Sequence, residues 1–398
     1  MEYTAEQLIE FDDKYGAHNY EPLDVVLSKG KGVWVWDVKG NKYLDMLSSY
    51  SALNHGHCNP EVIKKMKEQL DNLTLTSRAF RNDKLPLFLK KVCEVTGMEM
   101  ALPMNTGAEA VETALKASRK WGYKLKGIPN DKAEIIVAAN NFHGRTITII
   151  SFATEDQYRD GFGPLTPGFE IVPYGDVAAI REKVGENTAA VMLEPIQGEG
   201  GIIIPPEGYL NEVKNICKEN NVLFVLDEIQ SGLGRTGKLF AWEWDGAKPD
   251  MMILGKALGG GVYPVSIVAS SREVLGVFNP GDHGSTFGGN PVGAAVGIAA
   301  LDYILEENLA ERSNELGEYF MKKLKTLNHP VIKEVRGKGL FIGLELHEPA
   351  RVYAERLKEK GILCKETHST IIRFAPPLTI TKEELDWAFL RIKDIFTE

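Results

Sequence analysis

Three ionisable residues each close a short apolar run in the middle of this chain: Glu194 follows AAVML, Asp227 follows VLFVL, and Lys256 follows MMILG. Runs of this length and composition, separated by amphipathic helical patterns, predict strands of a mostly parallel sheet covered on both faces. Ligands gather at the carboxyl ends of such strands. The three charged groups would therefore converge on one edge of the sheet. Any one of them alone reads equally well as a loop charge; all three at strand ends point to a site.

Lys256 lies in Leu254-Gly255-Lys256-Ala257-Leu258-Gly259-Gly260-Gly261, where glycines allow backbone and ligand to approach closely. A lysine used for covalent work needs a lowered amine pKa and an aldehyde partner, and pyridoxal 5′-phosphate (PLP) supplies that aldehyde. Asp227 then has a natural use, because a carboxylate against the pyridine nitrogen keeps it protonated and makes the ring an electron sink. The phosphate needs a cradle. Asn105-Thr106-Gly107-Ala108 follows a predicted strand and opens a helix in which Val111, Ala114 and Leu115 share a face, and free N–H groups at a helix start bind phosphate.

Two other motifs invite different chemistry. Gly232-Leu233-Gly234-Arg235-Thr236-Gly237 matches a dinucleotide-binding GxGxxG and, with Lys238, nearly a phosphate-binding P-loop. The first reading fails because five residues separate strand from glycine and KLFAWEWDGAKPD, which follows, is not a helix pattern. The second fails because Leu239 stands where a magnesium-binding Ser or Thr is needed. His55 and His57 in HGHC suggest a glycine-rich packing turn, and His347-Glu348 lacks the second histidine of HExxH. No metal site is predicted.

The elements that must position these groups come from a chain of 398 residues, 43% hydrophobic and 25% charged, long enough for a large core and two domains. A net charge of −9 argues against nucleic-acid or acidic-membrane partners, which favour basic patches. Four scattered cysteines form no CxxC pair, which suits reduced thiols. The acidic, amphipathic start MEYTAEQLIEFDDKYG lacks the pattern of a signal peptide, and no apolar run approaches a membrane span. A cytoplasmic location is expected. GVWVWDVKGNKYLDML predicts a hairpin about Lys39-Gly40-Asn41. From about residue 295 the pattern becomes long helix, then strands such as GLFIGLEL and TIIRFAPP, then a final helix. The expected division is residues 1–50 as an N-terminal segment packing with a small α+β domain at 295–398, and a large α/β domain at 51–294.

Nearly the whole chain resembles the PLP-dependent aminotransferases of fold type I, in the class III subgroup that acts on ω-amino groups. The matching segments include KYGAHNYEPL, SSYSALNHGHC, TLTSRAF, PMNTGAEAVETALK, NFHGRT, EPIQGEGG, DEIQSGLGRTG, LGKALGGGVYPVS, HGSTFGGNP and IIRFAPP. LGKALGGG and DEIQSGLGRTG mark the broad subgroup. HNY, SSYSA and TLTSRAF point to its ornithine-handling branch. His143, where animal members carry tryptophan, and Gly200, where alanine is usual, also fit the N-acetylornithine and 4-aminobutyrate branches.

The resemblance implies residue roles. Lys256 would carry the cofactor and move the proton, and Asp227 would face the pyridine nitrogen. Phe142 would stack on the ring, Gln230 would approach its 3′-oxygen, and Gly107 and Ala108 would hold the phosphate. Thr286 would reach the phosphate bound by a neighbouring subunit, which implies a homodimer with shared sites that could build into a higher oligomer. Arg145 and Arg373 would clamp carboxylates, with Glu199 neutralising Arg373 while an ω-amino donor is bound. Tyr20 would hydrogen-bond the α-amino group of ornithine, and Tyr50 would shape the pocket. The implied reaction moves the δ-amino group of ornithine to 2-oxoglutarate, giving glutamate.

Overall fold

The structure is a computed structural model and describes residues 3–397. Its central feature is a seven-stranded sheet with the strands Met100–Met104, Ser266–Ser270, Met251–Leu254, Leu223–Asp227, Thr188–Leu193, Glu134–Ala138 and Phe169–Val172 side by side in that order. Neighbours from Met251–Leu254 to Phe169–Val172 pair in parallel, while Ser266–Ser270 runs antiparallel to both of its neighbours. The apolar runs are continuous because both faces are covered. Leu223 and Val225 pack with Val111, Ala114 and Leu115 of the helix Gly107–Trp121. Phe224 and Leu226, pointing the other way, pack with Leu210, Val213 and Ile216 of the helix Tyr209–Glu219. Sequence patterning does not single out Phe169–Val172, a short partly exposed edge strand, or Ser266–Ser270, whose serines interrupt the apolar signal.

A second sheet, antiparallel and four-stranded, orders Ile332–Lys338, Phe341–Leu346, Ile371–Phe374 and Lys365–Thr367. The helix Leu309–Leu324 packs against it and against the last helix, Lys382–Ile395. The hairpin strands Trp34–Asp37 and Lys42–Asp45 pair antiparallel in a third sheet with Leu27–Lys31. Asp37 closes their turn by accepting from the N–H groups of Lys39 and Asn41, and Gly40 supplies the left-handed residue at φ 88°. Ile362–Leu363 joins this sheet in parallel beside Lys42–Asp45, so chain ends more than 300 residues apart share one sheet.

The glycine motif at Gly232–Gly237 is a packing junction. Every residue from Ser231 to Gly237 is buried. A side chain at Gly234 would press on Ala310, and one at Gly237 on Asn314, both in the Leu309–Leu324 helix. The fully buried Arg235 donates to the carbonyls of Leu340 and Pro376 and to Asn54 Oδ1. Burial pushes its guanidinium pKa down to about 9. The space a nucleotide phosphate would need is filled by protein. The HGHC histidines are likewise used internally: His55 bonds the Ala300 carbonyl at 3.0 Å and His57 pairs with Asp45 at 2.7 Å.

Candidate active site

At the carboxyl edge of the large sheet lies a cavity of about 200 Å³ lined by Gly107, Ala108, Phe142, Asp227, Gln230 and Lys256, together with His143, Glu194 and Ile229. Lys256 opens a 3-10 turn directly after its strand and adopts φ 46°. That left-handed backbone is costly for a residue with a Cβ and is typical of functional sites. Burial pushes the Lys256 amine below its ordinary pKa; nearby Glu199 partly opposes the shift. A buried amine with a lowered pKa is the form that attacks an aldehyde.

Asp227, at the end of Leu223–Asp227, has both carboxylate oxygens engaged. Oδ1 accepts from the Ile229 N–H at 3.0 Å and Oδ2 meets His143 Nδ1 at 2.7 Å. His143 is fully buried and its Nε2 has no hydrogen-bond partner among the described residues. Burial lowers the His143 pKa, but the bond to Asp227 and the Asp227 charge outweigh it and hold the imidazole above its usual value. Glu194 sits beside this pair, accepting from the N–H groups of Phe142 at 2.9 Å and Gly198 at 3.2 Å. Burial raises its carboxyl to about 7 against the opposing charge of His143. Glu194 thus ties the loop carrying Phe142 and His143 to the end of a core strand.

The helix Gly107–Trp121 begins with a capping box. Thr106 Oγ1 accepts from the Glu109 N–H, and the Glu109 carboxylate accepts from the N–H groups of Asn105 and Thr106. This satisfies the groups around the helix start and leaves its first two N–H donors, on Gly107 and Ala108, at the cavity wall. A side chain at Gly107 would come within 3.0 Å of Ile229.

Arg373, 1% exposed, pairs with Glu199 through two contacts of 2.8 and 3.2 Å and donates to Gln230 Oε1 at 2.8 Å. Its guanidinium also lies 4.9 Å from the Tyr50 ring centre. Burial raises the Glu199 pKa, but the Arg373 charge and hydrogen bonds overcome it and hold the carboxyl at about 2. Tyr50 owes its place to four consecutive left-handed residues, Ser48–Ser51, with φ between 46 and 73°. Asp45 Oδ1 pins this turn by accepting from the N–H groups of Leu47 and Ser48. Arg145 is exposed, stacks 3.7 Å over Tyr158, and has no carboxylate partner among the described residues.

Two expected residues stand apart. Tyr20 is 72% exposed, outside the cavity, although its hydroxyl lies within electrostatic reach of Tyr50 and Tyr158. Thr286 is exposed, next to Ser285, which accepts from Asn105 Nδ2 at 2.8 Å. Sequence reasoning brought Glu194 to the site edge without giving it a role, and it missed His143 as a site residue. The strand-end position was the signal for Glu194; for His143 there was none short of the fold, since 84 residues separate it from Asp227.

The cavity fits PLP on chemical grounds. It offers a phosphate-binding helix start, a carboxylate for a protonated ring nitrogen, an aromatic wall and a buried amine. A buried lysine and a strand-end aspartate at one edge of a doubly covered α/β sheet are the arrangement of a PLP-dependent enzyme of fold type I. The chain belongs to the class-III aminotransferases, whose family pattern it matches over residues 15–396. It is 63% identical over 396 residues to an ornithine aminotransferase of Geobacillus sp., covering 100% of this chain and 99% of that one. The ornithine aminotransferase structure from Toxoplasma gondii superimposes with a TM-score of 0.98 at 46% identity, covering 99% of this chain and 94% of that one. An acetylornithine aminotransferase from Elizabethkingia anophelis matches with a TM-score of 0.91 at 45% identity, covering 99% of both.

Proposed function

We propose that this enzyme is an ornithine δ-aminotransferase, taking the δ-amino group of L-ornithine and passing it to 2-oxoglutarate. The products are glutamate 5-semialdehyde, which cyclises to pyrroline-5-carboxylate, and glutamate. The observation that carries the reading is the pair that buried Arg373 makes with the partly buried Glu199 beside Lys256. An enzyme that binds an ω-amine first and an α-keto acid second must hide a carboxylate clamp from one substrate and offer it to the other. A guanidinium neutralised by a movable carboxylate does that.

When bound, PLP supplies an aldehyde that captures the donor nitrogen and a ring that accepts its electrons. The protein does the rest. Asp227, braced by His143, would keep the ring nitrogen protonated. Gly107 and Ala108 would hold the phosphate, Phe142 would cover the ring, and Gln230 would approach its 3′-oxygen side. Lys256, whose buried amine has a lowered pKa, would act as the base that takes and returns the proton of the donor carbon. Arg145, stacked on Tyr158 with no carboxylate partner among the described residues, grips the carboxylate of ornithine and later the side-chain carboxylate of 2-oxoglutarate. Tyr20 takes the α-ammonium of ornithine and Tyr50 walls its chain. Glutamate or 2-oxoglutarate displaces Glu199 and takes Arg373 for the carboxylate next to the reacting carbon.

The same reading places Thr286 at the phosphate of a neighbouring subunit in a homodimer, with larger assemblies open to it. It divides the chain into residues 1–50, 51–294 and 295–398. Among the described residues no helix is long and apolar enough to cross a membrane, and a cytoplasmic setting suits these substrates. The direct test follows the visible absorbance of the purified, cofactor-loaded protein as ornithine, N-acetylornithine or 4-aminobutyrate is added without keto acid. Rapid bleaching by ornithine alone is expected. Preferential bleaching by either of the others would move the substrate assignment to that donor.

A further inference from the structure

The segment 16–26, which carries Tyr20, contains no helix or strand and is largely exposed. Left to itself, such a stretch would sample many conformations and hold no side chain over a site. It is tied down just past Tyr20. Arg351 Nη1 donates to the Glu21 carbonyl at 3.3 Å and Nη2 to the Pro22 carbonyl at 3.1 Å, while Lys365 Nζ reaches the Glu21 carbonyl at 3.3 Å. Arg351 is itself aimed, its Nε donating to Glu355 at 3.0 Å and Nη1 to Glu366 at 3.3 Å.

Arg351 opens the helix Arg351–Glu359, and the groups that aim or assist it, Lys365 and Glu366, lie on the sheet that carries the carboxylate clamp. Lys365 lies directly opposite Arg373 in the antiparallel pair of Lys365–Thr367 with Ile371–Phe374. Two residues on, the Thr367 hydroxyl donates to the Glu199 carbonyl at 2.6 Å. One three-residue strand thus touches the backbone beside Tyr20 and the backbone of Glu199, next to the Arg373 strand. Paired strands hold such spacings to a fraction of an ångström, whereas a free loop does not.

We propose that Arg351, with Lys365 and Glu366, is a positioning residue for donor selectivity: it straps the Tyr20 segment over the mouth of the site at a set distance from Arg373, so that the enzyme prefers a donor with a free ammonium at its far end. The proposal rests on Tyr20 meeting the α-ammonium of ornithine. A free ammonium donates to a fixed phenol oxygen; an acylated amine carries extra bulk and no charge there. Arg351 touches no substrate and acts only by fixing the segment.

The test compares Arg351→Ala, Tyr20→Phe and the double variant in the cofactor-loaded enzyme. Single-turnover bleaching by ornithine and by glutamate is read alongside amide hydrogen exchange over residues 19–26. Arg351→Ala is expected to raise the half-saturating ornithine concentration about tenfold, the scale of one charged hydrogen bond, without exceeding Tyr20→Phe. The glutamate half-reaction of Arg351→Ala should stay within about twofold, and the double variant should be no worse than Tyr20→Phe because both act through one contact. Exchange at 19–26 should quicken in Arg351→Ala and be unchanged in Tyr20→Phe; Arg351→Lys should restore part of both effects. If Tyr20→Phe impairs ornithine while Arg351→Ala alters neither ornithine saturation nor exchange, the strap is wrong and the substrate reading stands. If Tyr20→Phe leaves ornithine saturation unchanged, the reading of Tyr20 falls and the strap falls with it. Equal loss with ornithine and glutamate in Arg351→Ala would reduce Arg351 to general stability and overturn its role in selectivity.

Discussion

Replacing Glu199 by alanine should turn the enzyme toward glutamate as first amino donor. In the intact site Glu199 and Arg373 form a two-contact pair, which on the proposed reading glutamate must break and ornithine can leave in place. A charge-assisted hydrogen bond of this kind contributes about 1.5–3 kcal/mol net. Removing the competitor should favour glutamate over ornithine in single-turnover bleaching by roughly 10- to 100-fold. The carboxyl is held near 2 against an ordinary value of 4.5, a difference worth about 3 kcal/mol. Because the folded-state pKa is depressed, that stabilisation is fully present above about pH 4.5 and is lost as pH falls toward 2. Donor preference set by this pair should therefore be flat from about pH 5 upward. Arg373 would be left with Gln230 as its remaining polar side-chain partner in Glu199→Ala, and an uncompensated buried charge costs about 3–5 kcal/mol. The variant should melt earlier and be resteadied by glutamate or 2-oxoglutarate. An unchanged ratio of the two donors' bleaching rates would refute the carboxylate switch.

Two further outcomes follow from the same geometry. Lys256→Ala should abolish steady-state turnover and the visible absorbance of the lysine–cofactor linkage even with PLP in excess, as read by spectrophotometry; retained turnover would remove Lys256 from the chemistry. Arg235→Met fills most of the same volume but strands Asn54 Oδ1 and the carbonyls of Leu340 and Pro376. It should cost about 3–5 kcal/mol in denaturant unfolding, and a loss under 1 kcal/mol would show that this junction is not held by its arginine.

The sequence by itself determined the chemistry-bearing strand ends. Lys256, Asp227 and Glu194 follow runs whose unbroken apolar character requires a doubly covered sheet, and sheet geometry then brings their ends to one edge. The helix start at Gly107 was legible too, since Asn105-Thr106-Gly107-Ala108 follows an apolar run and opens a pattern with Val111, Ala114 and Leu115 on one face, and the hydrogen bonds that cap it are local. Short-range rules sufficed because each feature closes within a few residues. The tertiary structure alone decided which partners those groups meet. His143 faces Asp227 across 84 residues and Arg351 reaches Glu21 across 330, pairings nothing in the sequence announced; the pairing of Glu199 with Arg373, 174 residues apart, was implied by the family resemblance alone. It also showed that the Gly232–Gly237 motif is packing rather than a phosphate loop, because what fills its space arrives from the helix at Leu309–Leu324. No local pattern encodes such pairings. They exist only once strand order and the packing of sheet on helix have brought distant segments within a few ångströms, and ion pairs and pKa values are set at that range.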